Sequence, residues 1–313
     1  MKTILGTMTF SDQVDKESSA NMLSMFAQSG GTEVDTAFVY NKGKTELLLG
    51  ELAVEGALNA FSIAGKANPW AEGGLSAPSV KHQLNTSLNR LNAQAVELFY
   101  LHAPDLETPI VDTLNAVMEL HAEGKFKRFG LSNYAAWQVA EIVEICKREG
   151  WLLPTVYQGM YNALTRDVER ELLACLHNYD IAFYVYNPLA GGMLTGKHSD
   201  VAALPENGRF ATFDGYQDRY WKKSYFDVIT AVTKTCRSNN IPTSEAALRW
   251  LVHHSSLRVP WAEHGVIVGA SSLNHLEQNL AALKQGQLPE AIVSSFEEAW
   301  EAVKPSCIKY FRP

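Results

Sequence analysis

Short apolar segments alternate with helix-like segments along almost the entire chain, and this alternation constrains the fold more than any other feature. The apolar segments, rich in Val, Ile, Phe and Tyr, are TILGTM, TEVDTAF, FSIAGKA, AVELFYL, FKRFGLS, PTVYQGM, IAFYVYN and GVIVGAS. Continuous apolar runs of this kind are typical of parallel strands that are covered by helices. Eight strand–helix units within 313 residues predict a closed (β/α)8 barrel of the α/β class rather than an open, doubly wound sheet.

Helical periodicity follows the apolar segments. Helices are predicted near TELLLGELA, over about residues 79–91, within TPIVDTLNAVMELHAEGK, YAAWQVAEIVEICKREG and RDVERELLACLHNY, over about residues 222–238 and 244–252, and within NHLEQNLAAL. A long loop follows IAFYVYN. Because no repeat, low-complexity segment or linker rich in Pro and Gly divides the chain, residues 1–313 are predicted to form one domain.

Composition argues against several functional classes. A formal net charge of -7 and the lack of a basic run argue against a nucleic-acid partner. The apolar runs are short and broken by polar residues, which argues against a transmembrane helix, and no basic amphipathic stretch suggests membrane contact. The cysteines lie far apart without metal-ligand spacing, so we expect no metal site and four reduced thiols: Cys146, Cys175, Cys236 and Cys307. Reduced thiols and the lack of a signal segment predict a cytoplasmic protein.

Polar side chains follow the apolar segments at the points where the strands should end. Asp35 and Tyr40 follow the second strand, Lys66 the third and His102 the fourth. Further along the chain come Ser132, Asn133, Gln158 and the segments YNPLAGG and GASS. In a (β/α)8 barrel the carboxyl ends of all strands meet at one face, which carries the functional groups. These side chains are therefore predicted to converge on one rim of the barrel.

Asp35, Tyr40, Lys66 and His102 could together donate a proton to a carbonyl oxygen. A free phenol has a pKa of about 10, which is too high for efficient proton transfer at neutral pH. A nearby ammonium group lowers that pKa, and a carboxylate keeps the ammonium charged and oriented. Taken singly, each residue has an ordinary structural role as the alternative. Asp35 could form a turn, Tyr40 could be an aromatic residue of the rim, Lys66 could be a solvated charge, and His102 could be a loop residue. Their joint position at strand ends favours a catalytic role for the four residues. Carbonyl reduction would also require a nicotinamide cofactor as the source of hydride.

Several segments together resemble an aldo-keto reductase, and more narrowly the aflatoxin-aldehyde and succinic semialdehyde reductase subfamily: VDTAFVY, KANPW, LHAPD, GLSNYAAWQVAEI, PTVYQGMYN, YNPLAGGMLTGK and GASSLNHLEQNL. The resemblance runs almost from end to end. It implies a (β/α)8 barrel, NADPH as cofactor, and reduction of aldehydes or ketones to alcohols. It assigns Tyr40 as the general acid and Lys66 as the partner that lowers its pKa. It also assigns Asp35 as the support of Lys66, and His102 as the residue that orients the substrate. Gly65 departs from the subfamily, where a Thr is expected, so looser packing behind Lys66 is predicted.

The resemblance also implies a set of cofactor contacts. Asp35, Ser132, Asn133 and Gln158 would lie at the nicotinamide, with Ser132 and Asn133 at its carboxamide; a helix cap is the alternative for this pair. Tyr186 would stack on the nicotinamide ring, the alternative being a core tyrosine. The remaining contacts would be Asn187, Pro188, Leu189, Gly191, Gly192 and Lys197 near the pyrophosphate, and Arg209, Ser271, Gln278 and Asn279 near the adenosine and its 2′-phosphate. Glycines let backbone amides approach a pyrophosphate closely, and no GxGxxG follows a strand, so a Rossmann crevice is not expected.

Tyr216, Arg219 and Arg312 resemble residues at the substrate mouth of the family. Guanidinium groups there could hold a substrate carboxylate through two parallel hydrogen bonds. The alternatives are a surface ion pair of Arg219 with Asp218, and a frayed chain terminus for Arg312.

Two functional classes stay open at this point. The first is an NADPH-dependent reductase of a small carbonyl substrate, which could serve detoxification or a secondary-metabolite biosynthetic pathway. The second is a cofactor-binding regulatory subunit that resembles potassium-channel β subunits and acts through a partner. The YFR terminus and the arginine-bearing loop favour the enzyme, and a homodimer is a possible assembly.

Overall fold

The computed structural model describes residues 1–198, 200–206, 208–212 and 214–312. Its eight strands are β1 (Lys2–Gly6), β2 (Glu33–Asp35), β3 (Ser62–Ala67), β4 (Val96–Leu101), β5 (Phe126–Ser132), β6 (Pro154–Met160), β7 (Ala182–Tyr186) and β8 (Gly265–Val268). They pair in chain order, all parallel, and β8 closes on β1. The predicted (β/α)8 barrel is confirmed.

The helices are α1 (Lys16–Gln28), α2 (Lys44–Val54), α3 (Ala77–Arg90), α4 (Ile110–Ala122), α5 (Ala136–Glu149), α6 (Leu172–Asn178), α7 (Arg209–Thr212), α8 (Asp214–Tyr220), α9 (Lys223–Ser238), α10 (Thr243–His253), α11 (Leu273–Leu283) and α12 (Glu290–Val303). The sequence patterns located neither α1 nor α12. The segment RDVERELLACLHNY forms a 3-10 turn, Asp167–Glu169, before α6 rather than one helix. The second strand ends at Asp35, three residues before the apolar run ends.

Alternate residues along the strands fill the barrel interior, because successive side chains of a strand point to opposite faces. The interior cluster consists of Ile4, Ala64, Leu98, Tyr100, Val156, Ala182, Tyr184 and Ile267. The outward-facing strand residues pack with the helices in a second, larger core. The barrel is therefore plugged by side chains in its lower part, which leaves the carboxyl end of the strands as the place for a cavity.

All four cysteines are free; Cys146 and Cys236 are buried, and Cys175 and Cys307 are partly buried. Within the described ranges, no helix is both long enough and apolar enough to span a membrane. In the same ranges, no three His, Cys, Asp or Glu side chains are grouped closely enough to hold a metal ion.

Candidate active site

A cavity of about 900 Å³ opens at the carboxyl ends of the strands. Every side chain that the sequence analysis assigned to catalysis, cofactor or substrate lines this cavity, with the exception of Lys66. Lys66 lies behind the wall, fully buried against Asp35. The predicted convergence of strand-end residues on one rim is thus what the geometry shows, while their individual roles stay predictions.

Asp35 and Lys66 form a buried ion pair at the floor of the cavity. Lys66 Nζ donates to Asp35 Oδ1 at 2.5 Å and to the Thr36 carbonyl at 2.6 Å. Gln158 Nε2 donates to Asp35 Oδ2 at 2.8 Å. Burial raises the pKa of Asp35 and lowers the pKa of Lys66, and the attraction between the two charges opposes both shifts. Strands β2, β3 and β6 thereby fix one charged pair from three directions.

Tyr40 begins a 3-10 turn, Tyr40–Gly43, after the end of β2, and its ring lies over this pair. The Lys66 ammonium is 5.1 Å from the ring centroid of Tyr40. Burial raises the pKa of Tyr40 well above its usual value; the charge of Asp35 and nearby Tyr216 add to this, and Arg209 opposes it. The direction is opposite to the lowering by Lys66 that the sequence analysis expected. The physical reason is that removing the phenol from water disfavours the phenolate, and the negative charge of Asp35 adds to this effect.

His102 faces Tyr40 across the cavity floor. Its ring centroid is 6.1 Å from that of Tyr40 and 5.4 Å from that of Trp70, both edge-on. Burial and the positive charges of Lys66 and Arg312 hold the pKa of His102 well below its ordinary value. Its buried Nδ1 has no hydrogen-bond partner among the described residues. His102 is therefore a neutral imidazole at the floor.

Asn133 joins several parts of the cavity wall. Its Nδ2 donates to the His102 carbonyl at 2.8 Å and to Ser132 Oγ at 3.0 Å, while its Oδ1 accepts from the Tyr186 hydroxyl at 2.7 Å. Asn133 has a left-handed backbone, with φ of 64°. Helix α5 is capped at Ala135, so Ser132 and Asn133 are not its N-cap residues. The Tyr186 ring lies at the wall, half-buried, rather than in the closed core.

The loop after β7 reaches the cavity through two glycines. Ala190, Gly191 and Gly192 are all left-handed, with φ of 51°, 70° and 108°. The Gly191 amide donates to Asn187 Oδ1 at 2.6 Å and the Gly192 amide to the Leu189 carbonyl at 2.9 Å. A Cβ at Gly191 would lie 2.5 Å from the Tyr216 ring, whereas one at Gly192 would meet nothing within 4 Å. The glycines provide room beside the cavity, and a role for their amides at a pyrophosphate stays a prediction.

Cationic and polar groups gather in the cavity wall beside the end of β8. Arg209 Nη1 donates to the Tyr216 hydroxyl at 3.0 Å, and the lining there also includes Lys197, Ser271, Gln278 and Asn279. His275 was not predicted from the sequence; its Nδ1 is 3.2 Å from Ser271 Oγ. Its position in the first turn of α11, directly after the eighth strand, could have identified it.

Two arginines lie at the mouth of the cavity. The Arg312 guanidinium stacks on the ring of Trp70 with a distance of 4.7 Å to the centroid, and the Arg312 amide donates to the Asn133 carbonyl at 3.0 Å. The Arg219 guanidinium lies 5.1 Å from the Tyr216 ring centroid. Across the described ranges neither arginine forms a salt bridge, so the alternative ion pair between Arg219 and Asp218 is not formed. Trp70, which the sequence analysis did not assign, follows the third strand in KANPW and could have been found by that position.

The Tyr310 side chain and backbone hold the chain terminus in place. The Tyr310 hydroxyl donates to Glu171 Oε1 at 2.6 Å and accepts from the Ala136 amide at 2.9 Å, while the Tyr310 amide donates to Asp167 Oδ2 at 3.2 Å. Arg312 follows two residues later, so Arg312 is anchored beside the cavity rather than frayed.

Comparison with known proteins agrees with this arrangement. The model of the aldo/keto reductase family matches residues 2–301. The chain belongs to the aldo-keto reductase family. Aflatoxin B1 aldehyde reductase member 2 of Rattus norvegicus is 48% identical over 321 residues, which cover 99% of this chain and 87% of the relative. Aflatoxin B1 aldehyde reductase member 4 of Homo sapiens is 47% identical, with 99% and 96% covered. Aldo-keto reductase pigE of Monascus ruber is 37% identical, with 93% and 89% covered.

As an aldo-keto reductase, the protein is an oxidoreductase that reduces carbonyl compounds with a nicotinamide cofactor, and the prediction of an enzyme is confirmed. The residues of the cavity fit such a cofactor: the volume is ample for a dinucleotide, a Cβ at Gly192 would meet nothing within 4 Å, and positive groups lie beside the end of β8. Ser132, Asn133 and Gln158 stay the residues predicted to hold its nicotinamide end. The cofactor, when bound, supplies the hydride that protein side chains lack.

Proposed function

We propose that this aldo-keto reductase uses NADPH to reduce small aldehydes or ketones that carry a carboxylate, with Tyr40 as the general acid. The observation that carries the proposal is the buried pair of Lys66 and Asp35, which lies directly beneath Tyr40 at the floor of the cavity. A carbonyl oxygen bound between the Tyr40 hydroxyl and the His102 ring would have two hydrogen-bond donors.

The electrostatics assign a separate task to each side chain. Because its pKa is raised, the Tyr40 phenol stays protonated and holds the proton that the alcohol product needs. His102 is neutral, so it can orient the carbonyl oxygen through a hydrogen bond without transferring a proton to it. Lys66 places a positive charge beneath Tyr40, where it stabilises negative charge that develops on the phenol oxygen as the proton leaves.

Preference for NADPH is supported by the charges in the cavity wall at the end of β8. The chain as a whole carries a net charge of -7, which would repel a phosphate. Lys197, Arg209 and Ser271 line this wall nevertheless, and Arg209 is held by Tyr216. These groups are suited to a 2′-phosphate, which NADPH has and NADH lacks. Measuring kcat/KM with both cofactors tests this preference, and equal values would rule it out.

A carboxylate on the substrate is supported by the two mouth arginines. Arg219 and Arg312 stack on aromatic rings and leave their hydrogen-bonding edges without a carboxylate from the described residues. The relatives named aflatoxin B1 aldehyde reductase agree with an aldehyde as the reacting group. Succinic semialdehyde and 2-carboxybenzaldehyde are therefore apt test substrates, since each joins a carbonyl to a carboxylate.

Removing Arg312 should separate acidic from neutral substrates. A charge-assisted hydrogen bond contributes about 1.5–3 kcal/mol, so Arg312→Ala should raise KM for succinic semialdehyde roughly ten- to a hundredfold. A neutral aldehyde should keep its KM, because it makes no ion pair. Lys309→Ala is the matched control: Lys309 also stacks on an aromatic ring of the terminus, at 5.3 Å from the Phe311 centroid. Unchanged KM values for both substrates in Arg312→Ala would exclude the acidic-substrate proposal.

A further inference from the structure

The turn that begins with Tyr40 has an unusual backbone. Asn41, Lys42 and Gly43 follow one another in the left-handed region, with φ of 47°, 57° and 88°. Left-handed residues other than glycine are strained, and such strain persists only where the surrounding structure holds the conformation in place. The position of the Tyr40 hydroxyl therefore depends on the groups that hold this turn.

Asn41 holds the turn on the side of β1. Its Nδ2 lies 2.8 Å from the Phe10 carbonyl, 3.2 Å from the Met8 carbonyl and 3.1 Å from Thr45 Oγ1. These partners come from the loop after β1 and from α2. The side-chain amide thus ties the turn to both of these segments.

Arg90, the last residue of α3, holds the turn on the opposite side. Its Nη1 donates to the Phe38 carbonyl at 3.2 Å, and its guanidinium lies 4.6 Å from the Phe38 ring centroid. A Cβ at Gly43 would be 2.5 Å from Arg90 Cζ, so the guanidinium occupies the space beside this glycine. Arg90 therefore contacts the chain both before and after Tyr40.

Glu46 of α2 fixes Arg90 in turn. The Glu46 side chain is fully buried, and its Oε2 accepts from Arg90 Nη1 at 3.0 Å. Its Oε1 has no hydrogen-bond partner among the described residues. At Gly50, a Cβ would lie 1.9 Å from the Arg90 carbonyl oxygen, so α2 and the end of α3 meet at a distance that only glycine permits. Both the charge and the close helix contact determine where the guanidinium lies.

A buried ion pair is weak support for stability, because desolvation of both charges offsets much of their attraction. Glu46 and Arg90 lie outside the cavity lining, and they are bound directly to the turn that carries Tyr40. We propose that Arg90, held by Glu46, is a positioning residue that sets the place of the Tyr40 hydroxyl over the substrate. The inference rests on the proposed role of Tyr40 as general acid.

The first test is Arg90→Met, compared with Arg249→Met as a matched control. Arg249 likewise binds a glutamate, Glu245, at 2.8 Å and two loop carbonyls, those of Gly286 and Gln287, at 2.8 and 2.6 Å, on the outside of the barrel. Because a misplacement of about 1 Å can cost a hundredfold in rate, Arg90→Met should lower kcat roughly ten- to a hundredfold. Arg249→Met should keep the wild-type kcat, and NADPH affinity should be preserved in both variants.

The solvent deuterium isotope effect on kcat distinguishes positioning from a general loss of structure. Misplacing Tyr40 slows proton transfer, so the isotope effect should rise in Arg90→Met and stay at the wild-type value in Arg249→Met. Arg90→Lys retains a cation for Glu46 but cannot stack on Phe38 and bind its carbonyl together, so it should recover only part of kcat.

A second variant keeps the test decisive if Arg90→Met fails to fold. Arg90→Met combined with Glu46→Gln leaves no unpaired buried charge, and it should bind NADPH with low kcat. The inference would be overturned if this double variant had the wild-type kcat and isotope effect. Should the double variant also fail to fold, the same result in Arg90→Lys would overturn it. Tyr40→Phe separates the two proposals: if Tyr40→Phe is inactive while the Arg90 variants are unaffected, only the positioning role fails. If Tyr40→Phe keeps wild-type turnover, the general-acid proposal fails.

Discussion

The two ends of the barrel contain similar groups of side chains in different surroundings. At the amino end, Lys2 of β1 binds Glu33 of β2, and its ammonium is 5.0 Å from the Tyr184 ring centroid. At the carboxyl end, Lys66 of β3 binds Asp35 of β2, and its ammonium is 5.1 Å from the Tyr40 ring centroid. The two carboxylates are two residues apart on one strand, so both point into the barrel.

The two groups differ in how deeply their side chains are buried and in the free space beside them. The Lys66 and Asp35 side chains are 0% and 3% exposed, whereas those of Lys2 and Glu33 are 21% and 17% exposed. Beside the first pair lies the cavity of about 900 Å³, and beside Glu33 only a gap of about 10 Å³. A lysine, a carboxylate and a tyrosine are thus not sufficient for a site. Burial strengthens their interaction, and a cavity is needed to bring a substrate to them.

The largest difference should appear on removing each lysine. Lys66→Met leaves Asp35 buried without its partner, which should lower the free energy of unfolding by about 3–5 kcal/mol. Lys2→Met removes a partly exposed pair and should cost no more than about 1 kcal/mol. Denaturant unfolding of both variants measures the difference. Equal losses would mean that burial does not distinguish the two pairs.

The next effect concerns the two tyrosines. Tyr40→Phe removes the proposed acidic proton and should lower turnover by about a hundredfold or more while the cofactor still binds. Tyr184→Phe, in the plugged part of the barrel, should leave turnover unchanged. Steady-state assays with chemistry shown to be rate-limiting compare the two variants. Full activity in Tyr40→Phe would disprove the general-acid assignment.

A smaller, pH-dependent effect is expected from the histidine near the amino end. His264 Nδ1 accepts from the Phe183 amide at 3.1 Å, and burial lowers the pKa of His264 from 6.5 to about 4. The unfolded chain therefore binds a proton more readily, so the contribution of His264 to stability is complete above pH 6.5 and is lost as the pH falls towards 4. His264→Asn keeps an acceptor that does not titrate and should flatten the pH dependence of the unfolding free energy over this range. Identical slopes for both proteins would contradict this.

The smallest effect concerns the packing behind Lys66. A Cβ at Gly65 would meet only Val96 Cγ1, at 3.8 Å, which agrees with the loose packing expected from the sequence. Gly65→Ala should therefore raise the free energy of unfolding by about 0.5–1 kcal/mol, because a strand glycine costs more conformational entropy than alanine. Gly50→Ala, 1.9 Å from the Arg90 carbonyl oxygen, is the contrasting variant and should be destabilising. A loss of stability in Gly65→Ala would show that the site is already filled.

Much of the fold could be predicted because its signals are local. The strands FKRFGLS and PTVYQGM match β5 and β6 to the residue, and the helix expected over about 222–238 matches α9 within one residue. The end of β2 was misplaced because Ala37 and Phe38 continue the apolar run while their backbone follows the turn towards Tyr40. Helix α12 follows the eighth strand–helix unit and packs across α9; its buried Ile292, Phe296 and Trp300 have helical spacing, so periodicity could have identified it.

The sequence by itself determined the eight strand–helix units, and with them the set of polar residues that meet at one end of the barrel. It did so because hydrophobic periodicity and the order of strands in a parallel barrel depend on near neighbours along the chain. Only the tertiary structure decided that Arg312 is anchored beside Trp70, that Arg90 holds the turn of Tyr40, and that the pKa of Tyr40 is raised rather than lowered. Each of these depends on groups brought together from distant segments, since desolvation and charge interactions are set by distance in space and not by separation in sequence.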